Sequence, residues 1–484
     1  MLPFSKVLLA LLVFSAVNNA TAQCTNKVLN CDTSKDYFDT KISFDYAATV
    51  QSIEYKKTYV VVKQDWNAWS GKHNQALVFV RCGCPAPDNT QIPAGAKVFF
   101  VPISKIMTQE TVAVQKIYLI GQRAKMFAVD SFRFVTTPEL RDDVSTGVVQ
   151  DIAGNYSKLT AMPDVFYTGS GNRTETGWNP ATMEPLRILD SDPSETSPLG
   201  RAELIKLTAL MCGAEDAGNT IFSLITSRYN EARLAANRAV RRRPFIVLNT
   251  PTPGWGWSAT RGSSYVGNFM RDAGALYRNF DDSINTVLNN GATTDVRMNV
   301  AQAETYFASA DYWVNAYWQQ PDLGRFSMDR MINGNRSGTA KGDRDAFSRF
   351  QSFQCSRVLA NSNALQPNLA GNPYFELGIV RPDLILLDLV YFLHPYLRRE
   401  SALFENYKPT FYFQMPPLMN STGVPPCPLS QLPVTPDASS VLLMRSFLVQ
   451  GAPLFDFRDA LYPPSPTAPP LPWTRRERKS TSTF

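Results

Sequence analysis

Two histidines, His73 and His394, are all that this chain of 484 residues offers for imidazole chemistry. No HExxH, no histidine cluster, no G-x-S-x-G elbow and no phosphate-cradling P-loop can be read in it. A zinc or manganese site built on imidazoles would want more nitrogen ligands than two histidines supply, and no cofactor is expected. His394 stands in Phe-Leu-His-Pro at a helix end and reads as a capping or packing residue. The acidic pairs Asp142-Asp143 and Asp281-Asp282 sit in loop-like contexts and read as solvated. A glycosidase would need two opposed carboxyl groups at a separation that only the fold can set. Cys82-Gly83-Cys84 has one intervening residue where a redox or metal C-x-x-C has two, which favours a structural role. The cysteine count of seven is odd, so one thiol stays free or pairs between chains. Cys212, within an apolar helical pattern, is the candidate for a buried free thiol, and the pairing of the others stays open.

Aromatic and small residues after strand ends are a stronger signal. Thr250 to Arg261 reads Thr-Pro-Thr-Pro-Gly-Trp-Gly-Trp-Ser-Ala-Thr-Arg, a loop between a strand at Phe245 to Asn249 and a helix that starts near Ser263. Tyr312, Trp313, Asn315, Tyr317 and Trp318 lie in or just beyond the next strand. Two such loops on one sheet edge would turn Trp255, Trp257 and Arg261 toward one crevice. Broad apolar faces with a few fixed donors suit a small-molecule cleft, and a guanidinium pairs with carboxylate or phosphate. For Trp313, inside a strand, a place in the core is the competing expectation.

The elements that would position these residues follow from apolar periodicity. Thr58 to Val62 and Ala76 to Arg81 predict an antiparallel flap. Strands are expected at Lys97 to Val101, Ser104 to Thr108, Lys125 to Val129 and Asp164 to Thr168, with a helix from Thr111 to Ile120 ended by Gly121. Strands alternating with helices imply a mostly parallel sheet, and such sheets bind ligands outside their carboxyl ends. From Ser197 to Arg243 the pattern is helical, with Ser197 as N-cap and Pro198 in the first turn. The interval Gly213 to Gly218 should kink or split this brace, which if continuous would run roughly 60 Å. Arg241 to Arg243 suits the negative end of a helix dipole. A second alternation follows, with helices at Ser263 to Leu276, Ala301 to Ala310 and Pro382 to Leu393 and strands at Asp311 to Ala316 and Arg357 to Ala360. The fold class is therefore α/β, in the order lobe, helical brace, lobe. The expected parts are a Cys-bearing extension and flap over 23–94, a first lobe over 95–196, the brace over 197–243 and a second lobe over 244–420.

The ends of the chain carry separate information. Lys6, the apolar run Val7 to Val17 and Ala20-Thr21-Ala22 read as a cleaved secretory signal over 1–22. That run is too short to span about 30 Å of hydrocarbon, and Ala22-Gln23 before Cys24 is not a lipid-anchor pattern. Twelve of the 34 prolines fall in the last 64 residues, so 421–484 reads as an irregular tail with a basic end. A net charge of +6 spread along the chain gives no nucleic-acid footprint. Sequons at Asn155, Asn172, Asn335 and Asn420 would be exposed glycan sites in a eukaryotic secretory pathway.

Ser197-Pro-Leu-Gly-Arg-Ala-Glu-Leu-Ile-Lys, Arg271-Asp-Ala-Gly and, above all, Asn372-Pro-Tyr-Phe-Glu-Leu-Gly-Ile-Val-Arg-Pro-Asp followed by Leu384 to Pro395 resemble the ABC-transporter periplasmic substrate-binding proteins of the iron-siderophore and cobalamin type. The likeness covers roughly Gly95 to Leu397, and its motifs are structural rather than ligand-contacting. It implies two Rossmann-like lobes rigidly joined by a long helix, with ligand held in the cleft between them and little hinge motion. Carried over by position, the cleft loops fall on Thr108, Gln109 and Glu110, on Ser131 and Arg133, on Tyr167, on Trp255, Trp257 and Arg261, and on Asn315. Tyr167 would join the tryptophans as an apolar wall, and Arg133 would join Arg261 as an anion anchor. The expectation is a secreted or cell-surface monomer that captures a chelated metal. A membrane transporter or receptor is a possible partner, and nucleic acid is not. The sequons, the extra cysteines and the Pro-rich tail depart from bacterial members. Two other readings stay open: a hydrolase on the same frame, using Glu110 or Asp130, and a structural protein whose cleft is plugged.

Overall fold

The structure is a computed structural model that describes residues 24, 31–68, 71–169, 171, 173–238, 243–252, 256–260, 264–277, 295–298, 300–315, 347–364 and 370–415. The expected signal, Trp255, Arg261, Tyr317, Trp318 and the tail over 421–484 lie outside the described residues, as do three of the four sequon asparagines, Asn172, Asn335 and Asn420.

The first sheet is the flap. Strands β1 (Val50–Tyr55), β2 (Tyr59–Ala68) and β3 (Gly71–Arg81) are antiparallel neighbours, and β4 (Lys97–Val101) adds parallel to β3. The strand expected at Lys97 to Val101 therefore forms, but in the flap's sheet. Val60, Val62, Leu77 and Phe79 bury one face of it, and Val61, Val78 and Val80 the other. A sheet covered on both faces loses the simple in-out alternation of a half-exposed one. Disulfides Cys24–Cys82 and Cys31–Cys84 staple the preceding segment to the end of β3, so Cys82-Gly83-Cys84 is structural. Cys355 is also disulfide-bonded, and Cys212 is the buried free thiol.

The second sheet is wholly parallel, in the order β7 (Gln150–Asp151), β6 (Met126–Val129), β5 (Ile106–Thr108), β8 (Val165–Thr168), β9 (Arg187–Leu189). Helix α1 (Thr111–Leu119) connects β5 to β6, and α2 (Pro138–Ser145) connects β6 to β7. The chain leaves β5 toward β6 and later returns on its other side as β8, which makes the β5/β8 junction the topological switch point of this lobe.

The brace is three helices. Ser197 caps α3 (Pro198–Glu203) by accepting from the Gly200 amide at 3.2 Å. A break at Leu204 separates α3 from α4 (Ile205–Cys212), whose eight residues are all buried. Gly213, at φ +66°, ends α4 in the left-handed conformation that glycine adopts without penalty. Helix α5 (Glu215–Arg238) then runs 24 residues, about 36 Å at 1.5 Å per residue. Its buried Ile221, Phe222, Ile225, Tyr229, Ala232 and Ala236 recur at helical spacing and form one apolar stripe.

The third sheet carries β13 (Asp295–Met298), β11 (Gly256–Thr260), β10 (Phe245–Thr252), β14 (Tyr312–Asn315), β15 (Val358–Ala360) and β16 (Phe413–Gln414) in that order, with β12 (Leu276–Tyr277) also on β10. Strands β12, β14 and β15 are parallel to their neighbours in the β10 core. The far half of β10, Asn249 to Thr252, instead pairs antiparallel with β11. The loop expected over Thr250 to Arg261 is therefore mostly hairpin, because β10 continues past Asn249 and the backbone folds back to satisfy its hydrogen bonds. The helix expected from Ser263 to Leu276 is shorter, α6 (Tyr265–Asp272), and Leu276 joins β12. Helix α7 (Val300–Phe307) precedes β14. Helices α8 (Pro373–Val380) and α9 (Pro382–Leu393) complete the lobe, α9 packing along α5 and α8 against α1 of the first lobe. Among the described residues, no helix is long and apolar enough to cross a membrane.

Candidate ligand cleft

The carboxyl ends of the parallel strands define the cleft wall on the first lobe. Asp130 N donates to Thr108 O at 2.8 Å, Gln109 N to Tyr167 O at 3.0 Å and Asp190 N to Thr168 O at 2.7 Å, which holds the four strand ends in register. Beyond them the chain opens into three loops, with Gln109 and Glu110 after β5, Asp130 to Phe134 after β6 and Gly169 to Glu175 after β8.

At the switch point Gln109 Oε1 accepts from the Gly169 amide at 3.2 Å and from Arg173. Arg173, with 4% of its side chain exposed, also donates to Glu175 at 2.7 Å and to Gly169 O at 3.3 Å. Glu110 lies against Gly169 so closely that a Cβ there would sit 2.6 Å from its Oε1. Its carboxyl is pushed up to about 7, chiefly by burial and then by Asp190, against the pull of Arg173. Behind it, fully buried Lys116 bridges Asp190 at 3.2 Å and Asp192 at 3.0 Å. Burial opposes the ammonium, and the two carboxylates outweigh it and hold the charged form. Burial also raises Asp130, which lies beside the Tyr156 hydroxyl and within the field of Arg173.

One strand over, the β6 loop is open. Ser131 accepts from the Arg133 amide at 3.3 Å and starts a short turn, Arg133 is exposed, and its guanidinium lies 5.4 Å from the ring of Phe134. Phe134 is 37% exposed, so its ring meets solvent beside that guanidinium. The opposing strand ends hold Asn315, fully buried at the end of β14, and Asn361, 1% exposed, whose carboxamide oxygen and nitrogen find no hydrogen-bond partner among the described residues.

The structure thus brings Gln109 and Glu110 together with Arg173, and places Ser131 and Arg133 on the adjacent loop. Thr108 is enclosed beneath them. Tyr167 is not a wall residue: at 1% exposure, with Lys116 Nζ 5.7 Å from its ring centre, it belongs to the core, where its side chain lies between Lys116 on α1 and Thr208 on α4. Trp257 lies in β11, its backbone paired with Pro251 and Met298. Trp313 is core, fully buried among Phe307, Phe347, Phe350 and Phe353. Arg173, Phe134 and Asn361 escaped the sequence reading. The run Gly169-Ser-Gly-Asn-Arg, two glycines directly after a strand, is the signal that could have found Arg173. Among the described residues, no three His, Cys, Asp or Glu side chains converge as metal ligands.

The motifs that carried the resemblance meet one another. Tyr229 on α5 donates to Asp272 at 2.6 Å, and the Ala273 carbonyl two residues before Ala275 contacts His394 Nε2 at 2.6 Å. Burial keeps His394 below its ordinary pKa, so it is a neutral packing group. Asp388 accepts from the amides of Thr410, Phe411 and Tyr412.

No family model matches the sequence, and no curated protein matches it. Solved structures do match the fold. A periplasmic haem-binding protein from Pseudomonas aeruginosa aligns at 13% identity and TM-score 0.41, over 65% of this chain and 98% of that one. A periplasmic haem-binding protein from Roseiflexus sp. aligns at 15% identity and TM-score 0.37, over 60% and 98%. An ABC-transporter substrate-binding protein from Listeria monocytogenes aligns at 14% identity and TM-score 0.39, over 60% and 99%.

Proposed function

We propose that the protein is an extracellular solute-binding protein that captures a small molecule of the chelated-metal class in the cleft between its lobes, and that it breaks no bond in doing so. The observation that carries this reading is the convergence of three loops at the carboxyl ends of one parallel sheet, with charged Arg133 and the exposed Phe134 ring side by side on one of them. That is where open parallel sheets take ligands, and a planar cation beside an apolar ring suits an anionic chelate with apolar edges. In this proposal Arg133 anchors anionic groups, Gln109, Glu110 and Ser131 supply polar contacts, and Thr108 and Asn315 support the walls from within. Trp255, Trp257 and Arg261 supply the second lobe's share. The protein acts as a monomer, delivered by its leader to the cell exterior, and hands its ligand to a membrane transporter or receptor.

Titration of the mature protein with ferric siderophores, haem and cobalamin, followed by tryptophan fluorescence, tests this. Saturable quenching with affinity in the micromolar range or tighter is expected, weakened at least about tenfold by Arg133→Ala, as for loss of a charge-assisted contact. A folded protein that responds to none of them would refute the proposal. A second reading draws on Arg173, which fills the switch point with its own hydrogen bonds. A plugged cleft would make the protein a structural component, and Arg173→Ala would then leave ligand binding absent rather than enhanced.

A further inference from the structure

Glu376 is a buried carboxylate whose hydrogen bonds all cross from its own lobe to the other. It projects from α8, is 1% exposed, and accepts from Thr136 N at 2.6 Å, Thr136 Oγ1 at 2.7 Å, Thr137 N at 3.1 Å, Gln115 Nε2 at 3.1 Å and the Thr137 hydroxyl. Gln115 lies on α1, and Thr136 and Thr137 end the loop that begins at Ser131. Five residues before Glu376, the backbone of Gly371 packs on the same loop. A Cβ at Gly371 would lie 2.1 Å from the Phe134 carbonyl oxygen and 2.7 Å from Thr136 Cγ2. The next residue, Asn372, donates through Nδ2 to Asn361 O at 3.1 Å, at the carboxyl end of β15. The turn 371–376 therefore touches both cleft walls, and on the first lobe it grips the loop that carries Arg133 and Phe134.

We propose that Glu376 is a positioning residue, an interlobe latch that fixes the 131–137 loop, and with it Arg133 and Phe134, against the strand ends of the second lobe. The physical basis is the number and kind of the contacts. Charge-assisted hydrogen bonds are among the stronger protein contacts, and five donors saturate the roughly four lone-pair sites of one carboxylate. A loop held this way moves only when all of them release together. The latch sets the spacing between the walls, so the width of the cleft is a property of Glu376 and Gly371 rather than of any hinge. It requires no ligand and stands whether or not the solute-binding proposal does.

Hydrogen exchange followed by mass spectrometry on the full mature chain, free of ligand, tests this in Glu376→Ala, Glu376→Gln and Gly371→Ala. Gly371→Ala is the independent arm, because its methyl group wedges the loop away while leaving Glu376 and its donor side chains unaltered. Exchange across 131–137 should rise about 10- to 100-fold in Glu376→Ala and Gly371→Ala, the range expected for freeing amides bonded to a charged group. Glu376→Gln, which keeps one acceptor oxygen, should fall between these and the wild type. Peptides from α9 should be unchanged in all three. Unchanged exchange at 131–137 in folded Gly371→Ala and Glu376→Gln would overturn the latch, and so would a rise spread evenly over the chain.

Discussion

Glu110 and Lys116 show how the same lobe treats two buried charges. Lys116 has two carboxylates within 3.2 Å and stays charged, whereas Glu110 faces Asp190 and Asp192 with only Arg173 and Lys116 to offset them. A carboxyl raised from 4.5 to about 7 binds its proton more tightly folded than unfolded. Its contribution to stability is then full below pH 4.5 and lost as pH rises through 7. Glu110→Gln should therefore be more stable than the wild type at pH 8, by on the order of 1 kcal/mol after allowance for partial exposure, with the gap closing by pH 5. Urea denaturation at the two pH values checks it. Lys116→Met should cost about 3–5 kcal/mol at neutral pH, since it strands two carboxylates in the interior, and the same denaturation curves would read that loss.

At the level of elements, long periodic segments were legible and short ones less so. Helix α9 lies where the apolar run from Pro382 to Leu393 places it, and Ser197 caps α3 with Pro198 in the first turn. These signals are local, so the sequence carries them whole. The extension of β10 through Pro251 into a hairpin was hidden, because Thr250 to Thr252 becomes strand only when β11 returns to pair with it. The burial of Tyr167 was hidden for a similar reason, as no pattern in four consecutive buried residues says which face a helix will cover. Arg173 finds one of its partners 64 residues away at Gln109, a relation no spacing rule records. The disulfides also join elements distant in sequence. Cys31–Cys84 closes a separation of 53 residues, and replacing both cysteines by serine should cost about 2–4 kcal/mol, read as a lowered melting temperature.

For the whole molecule, the two lobes meet through α8 on α1, and the second lobe rests on the brace through α9 along α5, with the proposed cleft between the facing strand ends. Ligand entering there would protect the cleft loops from solvent on binding. Hydrogen exchange with and without a saturating chelate that quenches tryptophan fluorescence is the most direct measurement. Protection confined to 109–110, 131–134, 169–175 and 255–261, together with the end of β15, is the predicted result. Protection in the groove of about 410 Å³ lined by Asp45, Tyr46, Asn219 and Phe222 on the flank of α5, with those cleft segments unchanged, would contradict it.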